Sequence, residues 1–374
     1  MNTKRIKRLI YSFIIHPAVW AIPMALFVFW LLPPVFDKYT IDEISETRVN
    51  SGNQICYFDI DNDGLSEEII LGNNEFGCFV KYTDVKGRSV QMNLKSKFDE
   101  ENSNNDKILT GDYDNNGMDE VYIFTQMGDS VLMSAFNFTD KDFKKLLDSK
   151  LICRFDRRNG FSFGNVKVGK VTDLNGDGIK EVVFAVNAGF GRQPRGIFAY
   201  DFANDTVTRT PVMGIYCEPV FGDLDHDNMD EICVNNYAIS NYDSKYDTSV
   251  PFNDWYHYNM VLDNDFSLLF SPQQFDGDHA NTNFMIDKKN PSIIASIQIT
   301  NDSSQVIQLT KYSNKGEVLK ELKLSNSFHL NRSFVKMLQN RKTEAKILVS
   351  PHLSHLICIQ QNLNTLQPLI LRPD

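Results

Sequence analysis

Asp59, Asp61, Asp63 and Glu67 stand at positions 1, 3, 5 and 9 of a nine-residue stretch, and that spacing returns three more times. The second copy supplies Asp112, Asp114, Asn116 and Glu120, the third Asp173, Asn175, Asp177 and Glu181, and the fourth Asp223, Asp225, Asp227 and Glu231. Oxygen side chains at alternate positions converge when a loop coils. A hard cation such as Ca²⁺ takes about six to eight oxygens from such a loop. Position 6 is Gly64, Gly117, Gly178 or Asn228, residue types that enter the left-handed backbone region most readily. Position 7 is Leu65, Met118, Ile179 or Met229. Its backbone carbonyl is expected on the ion and its side chain in the core. Up to four structural Ca²⁺ ions follow, with these twenty residues as the candidate metal set. The fourteen carboxylates among them exceed the net charge of −10, so four divalent ions would bring the chain to about −2 and relieve the repulsion within each cluster.

The chain after each loop must hold it in place. An EF-hand starts similarly but needs a Glu at position 12 and then a helix. Here position 12 is Ile70, Ile123, Phe184 or Val234. The run Glu181-Val-Val-Phe-Ala-Val186 is β-branched and apolar, which reads as strand. The loops therefore join strands, and Ile69, Ile70, Val121, Ile123, Val183, Val186 and Ile232 are the expected core. Loop starts at 59, 112, 173 and 223 give a period suited to a four-stranded propeller blade. Phe275-Asp276-Gly277-Asp278, followed by Ser292-Ile-Ile-Ala-Ser-Ile297, marks a fifth unit without an ion. Ala345–Val349 and Leu356–Ile359 mark a sixth.

The Asp-x-Asp-x-Asp-Gly-x-x-Glu loop before a strand, with Phe163-Gly164 and Phe221-Gly222 upstream of the third and fourth copies, resembles the FG-GAP and VCBS repeats of integrin-α-like β-propellers. The resemblance covers roughly residues 50–240. It implies an all-β propeller of about six to seven four-stranded blades over residues 47–374, Ca²⁺ in the loops, and a receptor, sensor or adhesion role.

Leu9 to Phe36 is a 28-residue stretch without Asp, Glu, Lys or Arg, preceded by Lys4, Arg5, Lys7 and Arg8. As a helix it would span about 42 Å, against a hydrocarbon core of about 30 Å. The basic flank puts the N-terminus inside the cell. The expected order is a cytoplasmic tail over 1–8, a transmembrane helix or uncleaved signal anchor over 9–36, a linker over 37–46 and an extracytoplasmic propeller. A cleaved signal peptide is the rival, disfavoured because the exit Leu-Leu-Pro-Pro-Val-Phe lacks a small-x-small site. Cys56 with Cys78, and Cys217 with Cys233, lie within single repeats; they are either intrablade disulfides or small buried apolar groups.

Loops on the side opposite the acidic ones vary in length. They include Asn73–Phe76, Gln126–Asp129, Asn187–Arg195 and the insertion 235–257. Arg192, Arg195, Tyr242, Tyr246, Trp255, Tyr256 and His257 are the candidate ligand-binding residues, being of types enriched at binding hot spots; the alternative is that the aromatics pack the insertion on its own blade. A protein or carbohydrate ligand is expected there. The acidic balance argues against nucleic acid. No Gly-x-Ser-x-Gly, P-loop or His-Glu-x-x-His motif occurs, which leaves a non-enzymatic recognition module as the first reading. A carbohydrate-active lyase or hydrolase is the alternative, with Glu75, Asp129 and His257 as the only candidate acid/base groups.

Overall fold

The computed structural model describes residues 16, 19–21, 53–94, 96, 108–138, 143–156, 164–189, 192–211, 213–215, 217–236, 256–275, 279–287, 291–301, 304–324, 334–339, 345–352, 355–360 and 369–371. The predicted membrane segment lies almost wholly outside them. Among the described residues no helix is long and apolar enough to cross a membrane. Tyr242, Tyr246, Trp255 and Asp276 also lie outside the described residues.

Residues 52–374 form one unit, built from six four-stranded antiparallel sheets. The first holds β1 (Gln54–Phe58), β2 (Glu67–Asn74), β3 (Gly77–Thr83) and β4 (Ser89–Leu94). The second holds β5 (Ile108–Gly111), β6 (Glu120–Met127), β7 (Ser130–Phe138) and β8 (Phe143–Arg154). The third comprises β9 (Asn165–Thr172), β10 (Glu181–Asn187), β11 (Arg195–Asp201) and β12 (Thr206–Arg209). The fourth comprises β13 (Val220–Gly222), β14 (Glu231–Asn235), β15 (His257–Leu262) and β16 (Gln273–Phe275). The fifth runs through β17 (His279–Asp287), β18 (Ser292–Asn301), β19 (Ser304–Ser313) and β20 (Val318–Leu324), and the sixth through β21 (Phe334–Gln339), β22 (Ala345–His352), β23 (His355–Gln360) and β24 (Leu369–Leu371). Within each sheet the strands pair in chain order. From the second sheet on, the first strand of one sheet lies beside the first strand of the next: β5 by β9, β9 by β13, β13 by β17 and β17 by β21. Meander sheets joined edge-inward in this way make a propeller-like fold.

Alternation along the central strands explains why their sequences are apolar throughout. Side chains of successive strand residues point to opposite faces, and here both faces are covered. Val182, Phe184 and Val186 of β10 pack toward the second sheet with Tyr122, Phe124 and Met133. Val183 and Ala185 pack toward the fourth with Ile232, Val234 and Met260. The seam between first and second sheets is Ile69, Leu71, Val80, Val121, Ile123 and Phe136, and that between fourth and fifth is Cys233, Val261, Phe284 and Ile286. All seven core residues expected from the sequence are buried.

Glycines let the first strands approach. A Cβ on Gly111 would sit 2.6 Å from Cβ and Cγ2 of Val171, and one on Gly222 would sit 2.9 Å from Cδ1 of Ile286. Val171 is branched at the contact atom and cannot swing away, so Gly111→Ala is expected to destabilise by roughly 1–3 kcal/mol, the usual range for overpacking. Chemical denaturation with unchanged m-value would register it.

The fifth unit corrects the register read from the sequence. Ser292–Ile297 is in its second strand, as in the earlier units, but the first strand β17 stands between it and Phe275-Asp276-Gly277-Asp278. The position equivalent to the acidic loops is therefore 288–291, Lys-Lys-Asn-Pro. In the sequence Asp276 falls between β16 and β17.

Candidate metal centres

Each acidic loop connects the first strand of a sheet to the second: β1–β2, β5–β6, β9–β10 and β13–β14. One hydrogen-bond scheme recurs. The position-1 carboxylate accepts the position-6 N–H, with Asp59 on Gly64 at 3.1 Å, Asp112 on Gly117 at 2.9 Å, Asp173 on Gly178 at 3.0 Å and Asp223 on Asn228 at 3.3 Å. Position 5 accepts the position-7 N–H at 2.8 Å in all four: Asp63 from Leu65, Asn116 from Met118, Asp177 from Ile179 and Asp227 from Met229. The position-9 Glu, buried at the start of the second strand, accepts the position-2 N–H. Glu67 takes Ile60 at 2.8 Å, Glu120 takes Tyr113 at 3.2 Å, Glu181 takes Leu174 at 2.7 Å and Glu231 takes Leu224. Position 6 has φ of 90° at Gly64, 88° at Gly117, 87° at Gly178 and 72° at Asn228, as the sharp turn requires.

Two features differ from the sequence expectation. Position 7 is not in the core: Leu65 is 56% exposed, and Met118, Ile179 and Met229 are half-buried. The residue that pegs the loop is at position 2, where Ile60, Leu174 and Leu224 are buried and Tyr113 packs on the Phe202 ring at 4.5 Å. Position 4 is also left-handed, with φ near 57° at Asn62, 58° at Asn115, 74° at Gly176 and 69° at His226. The readable signal for both was the recurring Asp-[Ile/Leu/Tyr]-[Asp/Asn]-[Asn/Gly/His] order.

Carboxylate oxygens of Asp59, Asp61 and Glu67 lie within 4.8 Å of one another, as do those of Asp112, Asp114 and Glu120, and of Asp223, Asp225 and Glu231. In the third loop Asn175 replaces the position-3 carboxylate, and its Nδ2 donates to Glu181 Oε1 at 3.0 Å. Burial, with the loop aspartates adding to it, pushes Glu120, Glu181 and Glu231 up to about 7, and Glu67 also upward. Asp59 Oδ1 and Glu231 Oε1 are buried without a hydrogen-bond partner. Buried, convergent and unsatisfied carboxylate oxygens are costly alone and suit a cation, so these residues fit a metal ion.

The ligand-binding candidates separate. Arg192 is half-buried and Tyr256 half-buried against the seam between third and fourth sheets. Arg195 is 1% exposed at the start of β11, its Nη2 donating to Gly214 O at 2.9 Å. His257 is fully buried and its Nε2 meets Thr282 Oγ1 of the fifth sheet at 2.9 Å. Thr282 in turn donates to Asn259 Oδ1 at 2.8 Å. Both side chains, expected at a ligand surface, are buried in this structure, Arg195 on the Gly214 carbonyl and His257 on Thr282. The five described cysteines are free thiols.

Burial lowers the pKa of His257 from 6.5 to about 4. The unfolded chain therefore takes up this proton before the folded one. The stability tied to neutral His257 is present above about pH 6.5 and is lost as pH falls toward 4. It amounts to about 3 kcal/mol. Denaturation midpoints across this window should fall less steeply in His257→Gln than in the parent chain.

No protein-family model matches the chain, and no curated protein matches it. Solved structures resemble it distantly. The BBS1N structure in complex with ARL6DN is 12% identical at a TM-score of 0.37, covering 86% of each chain. Rhamnogalacturonan lyase YesW is 10% identical at 0.35, covering 77% of this chain and 58% of the lyase. The WD40 domain of SCAP from fission yeast is 11% identical at 0.36, covering 81% and 73%. Likeness at this level decides nothing about function.

Proposed function

We propose that this is a membrane-anchored, extracytoplasmic propeller of the FG-GAP/VCBS kind, whose loops hold up to four structural Ca²⁺ ions and whose opposite face recognises a protein or carbohydrate. The apolar, basic-flanked segment 9–36 supports the anchor and its orientation. The oxygen-only donor sets favour Ca²⁺ over softer metals.

The observation that carries recognition is the exposure of apolar side chains at equivalent places on that face. The β2–β3 turn presents Phe76 at 72% exposure, and the end of β6, just before the β6–β7 turn, presents Met127 at 59%. Both sit at the strand ends opposite the acidic loops, where exposed apolar side chains suit a contact surface. Of the three acid/base candidates of the enzyme reading, His257 is buried.

The full chain should be offered to arrays of glycans and of extracellular peptides, and incubated with polysaccharides. Saturable binding that Phe76→Asp with Met127→Asp abolishes, without turnover, is the expected outcome. Release of cleaved sugar would sink the recognition reading, as would binding that the double substitution leaves intact.

A further inference from the structure

We propose that the first three loops bind their ions as a cooperative set, coupled through their backbones; the inference rests on the calcium reading above. A continuous path of hydrogen bonds joins the first three. Glu67 holds the Ile60 N–H, and the Ile60 carbonyl accepts the Asp119 N–H at 2.8 Å. Asp119 directly precedes Glu120, the ligand at position 9 of the second loop. Glu120 holds the Tyr113 N–H, and the Tyr113 carbonyl accepts the Lys180 N–H at 2.9 Å, immediately before Glu181 of the third loop.

A second path runs through position 4. Asn62 Nδ2 donates to the Gly117 carbonyl at 2.9 Å, and Asn115 Nδ2 to the Gly178 carbonyl at 2.7 Å. The N–H groups of those same glycines are held by Asp112 and Asp173. Lys180 Nζ also donates to the Asp112 carbonyl at 2.9 Å. An ion that draws in the Asp and Glu of one loop therefore sets the backbone from which the next loop's ligands hang. Coupling needs such a physical link between sites.

Both of these paths stop after the third loop. Its position 4 is Gly176, which has no side chain to reach forward. Among the described residues no bond joins the Leu174 carbonyl to the fourth loop. The fourth loop is joined to the third by side chains instead: Asp230, directly before Glu231, accepts from Thr172 Oγ1, directly before Asp173, at 2.6 Å and pairs with Lys170 Nζ. Its Leu224 carbonyl accepts from Asn314 Nδ2 of the fifth sheet at 3.1 Å.

The test is calcium uptake by the EGTA-stripped full chain, measured by equilibrium dialysis with radiolabelled calcium. The expected curve has a Hill slope above about 1. Asp223→Ala should remove one ion and leave the slope above 1. Asn62→Gly with Asn115→Gly keeps the left-handed backbone, as Gly176 does, and should lower the slope without changing the total bound. Uptake with a slope of 1 in the parent chain overturns the coupling, and an unchanged slope in the double variant overturns the position-4 path; either leaves the calcium reading standing. Absence of uptake overturns both.

Discussion

Removing calcium with EGTA is expected to lower the melting temperature of the full chain by on the order of 10 °C. An ion bound only to the folded state stabilises by mass action, about 2.7 kcal/mol per site at a hundredfold excess over its dissociation constant. Four such sites reach about 11 kcal/mol, and for a domain of this size that corresponds to a shift of this order. The physical source is the convergence of carboxylates described above, with orphaned oxygens on Asp59 and Glu231. Without a cation those groups repel and are poorly solvated, which opposes closing the loop. Differential scanning calorimetry with and without Ca²⁺ reads the effect. A magnesium-matched control separates ion identity from ionic strength, since Mg²⁺ demands a tighter octahedral site. An unchanged midpoint would mean the loops are turns held by their own backbone hydrogen bonds.

Phe184→Ala is expected to cost roughly 3–5 kcal/mol, the usual range for truncating a buried aromatic. Its side chain is fully buried between the second and third sheets. Its ring centroid lies 4.7 Å from that of Phe124 and 6.1 Å from that of Phe198. Removing it deletes contacts on both sheets at once, and close-packed neighbours relax only partly into the space. The loss should be of similar size with and without calcium, because the ring touches no loop carboxylate. Phe76→Ala at the exposed β2–β3 turn should stay within about 0.5 kcal/mol. Urea melts of the two variants make the comparison. A loss in Phe184→Ala that appears only after EGTA treatment would place the seam under control of the ions.

Local patterns were readable in the sequence because their causes are local. The left-handed turn at Gly64, Gly117, Gly178 and Asn228, and the apolar run after each loop, follow from backbone sterics and from burial on two faces. The fifth unit was misread because Asp276-Gly277-Asp278 imitates the loop's composition, whereas the strand β17 that follows it has no charge pattern to announce itself. The burial of Arg195 and His257 was invisible for a different reason. Both residue types are common at binding surfaces, and only the packing that sets Arg195 on the Gly214 carbonyl and His257 on Thr282 encloses them. The position-2 peg and the position-4 link to the next loop depend on contacts between sheets, which spacing within one repeat does not encode.

Native mass spectrometry of the full chain in a calcium-containing volatile buffer addresses the four loops most directly. Four calcium ions per chain are expected, falling by one in Asp59→Ala and by one in Asp223→Ala, with no change in Asp276→Ala. A calcium-free parent mass under saturating calcium, or a count that Asp59→Ala and Asp223→Ala leave unchanged, would contradict this expectation.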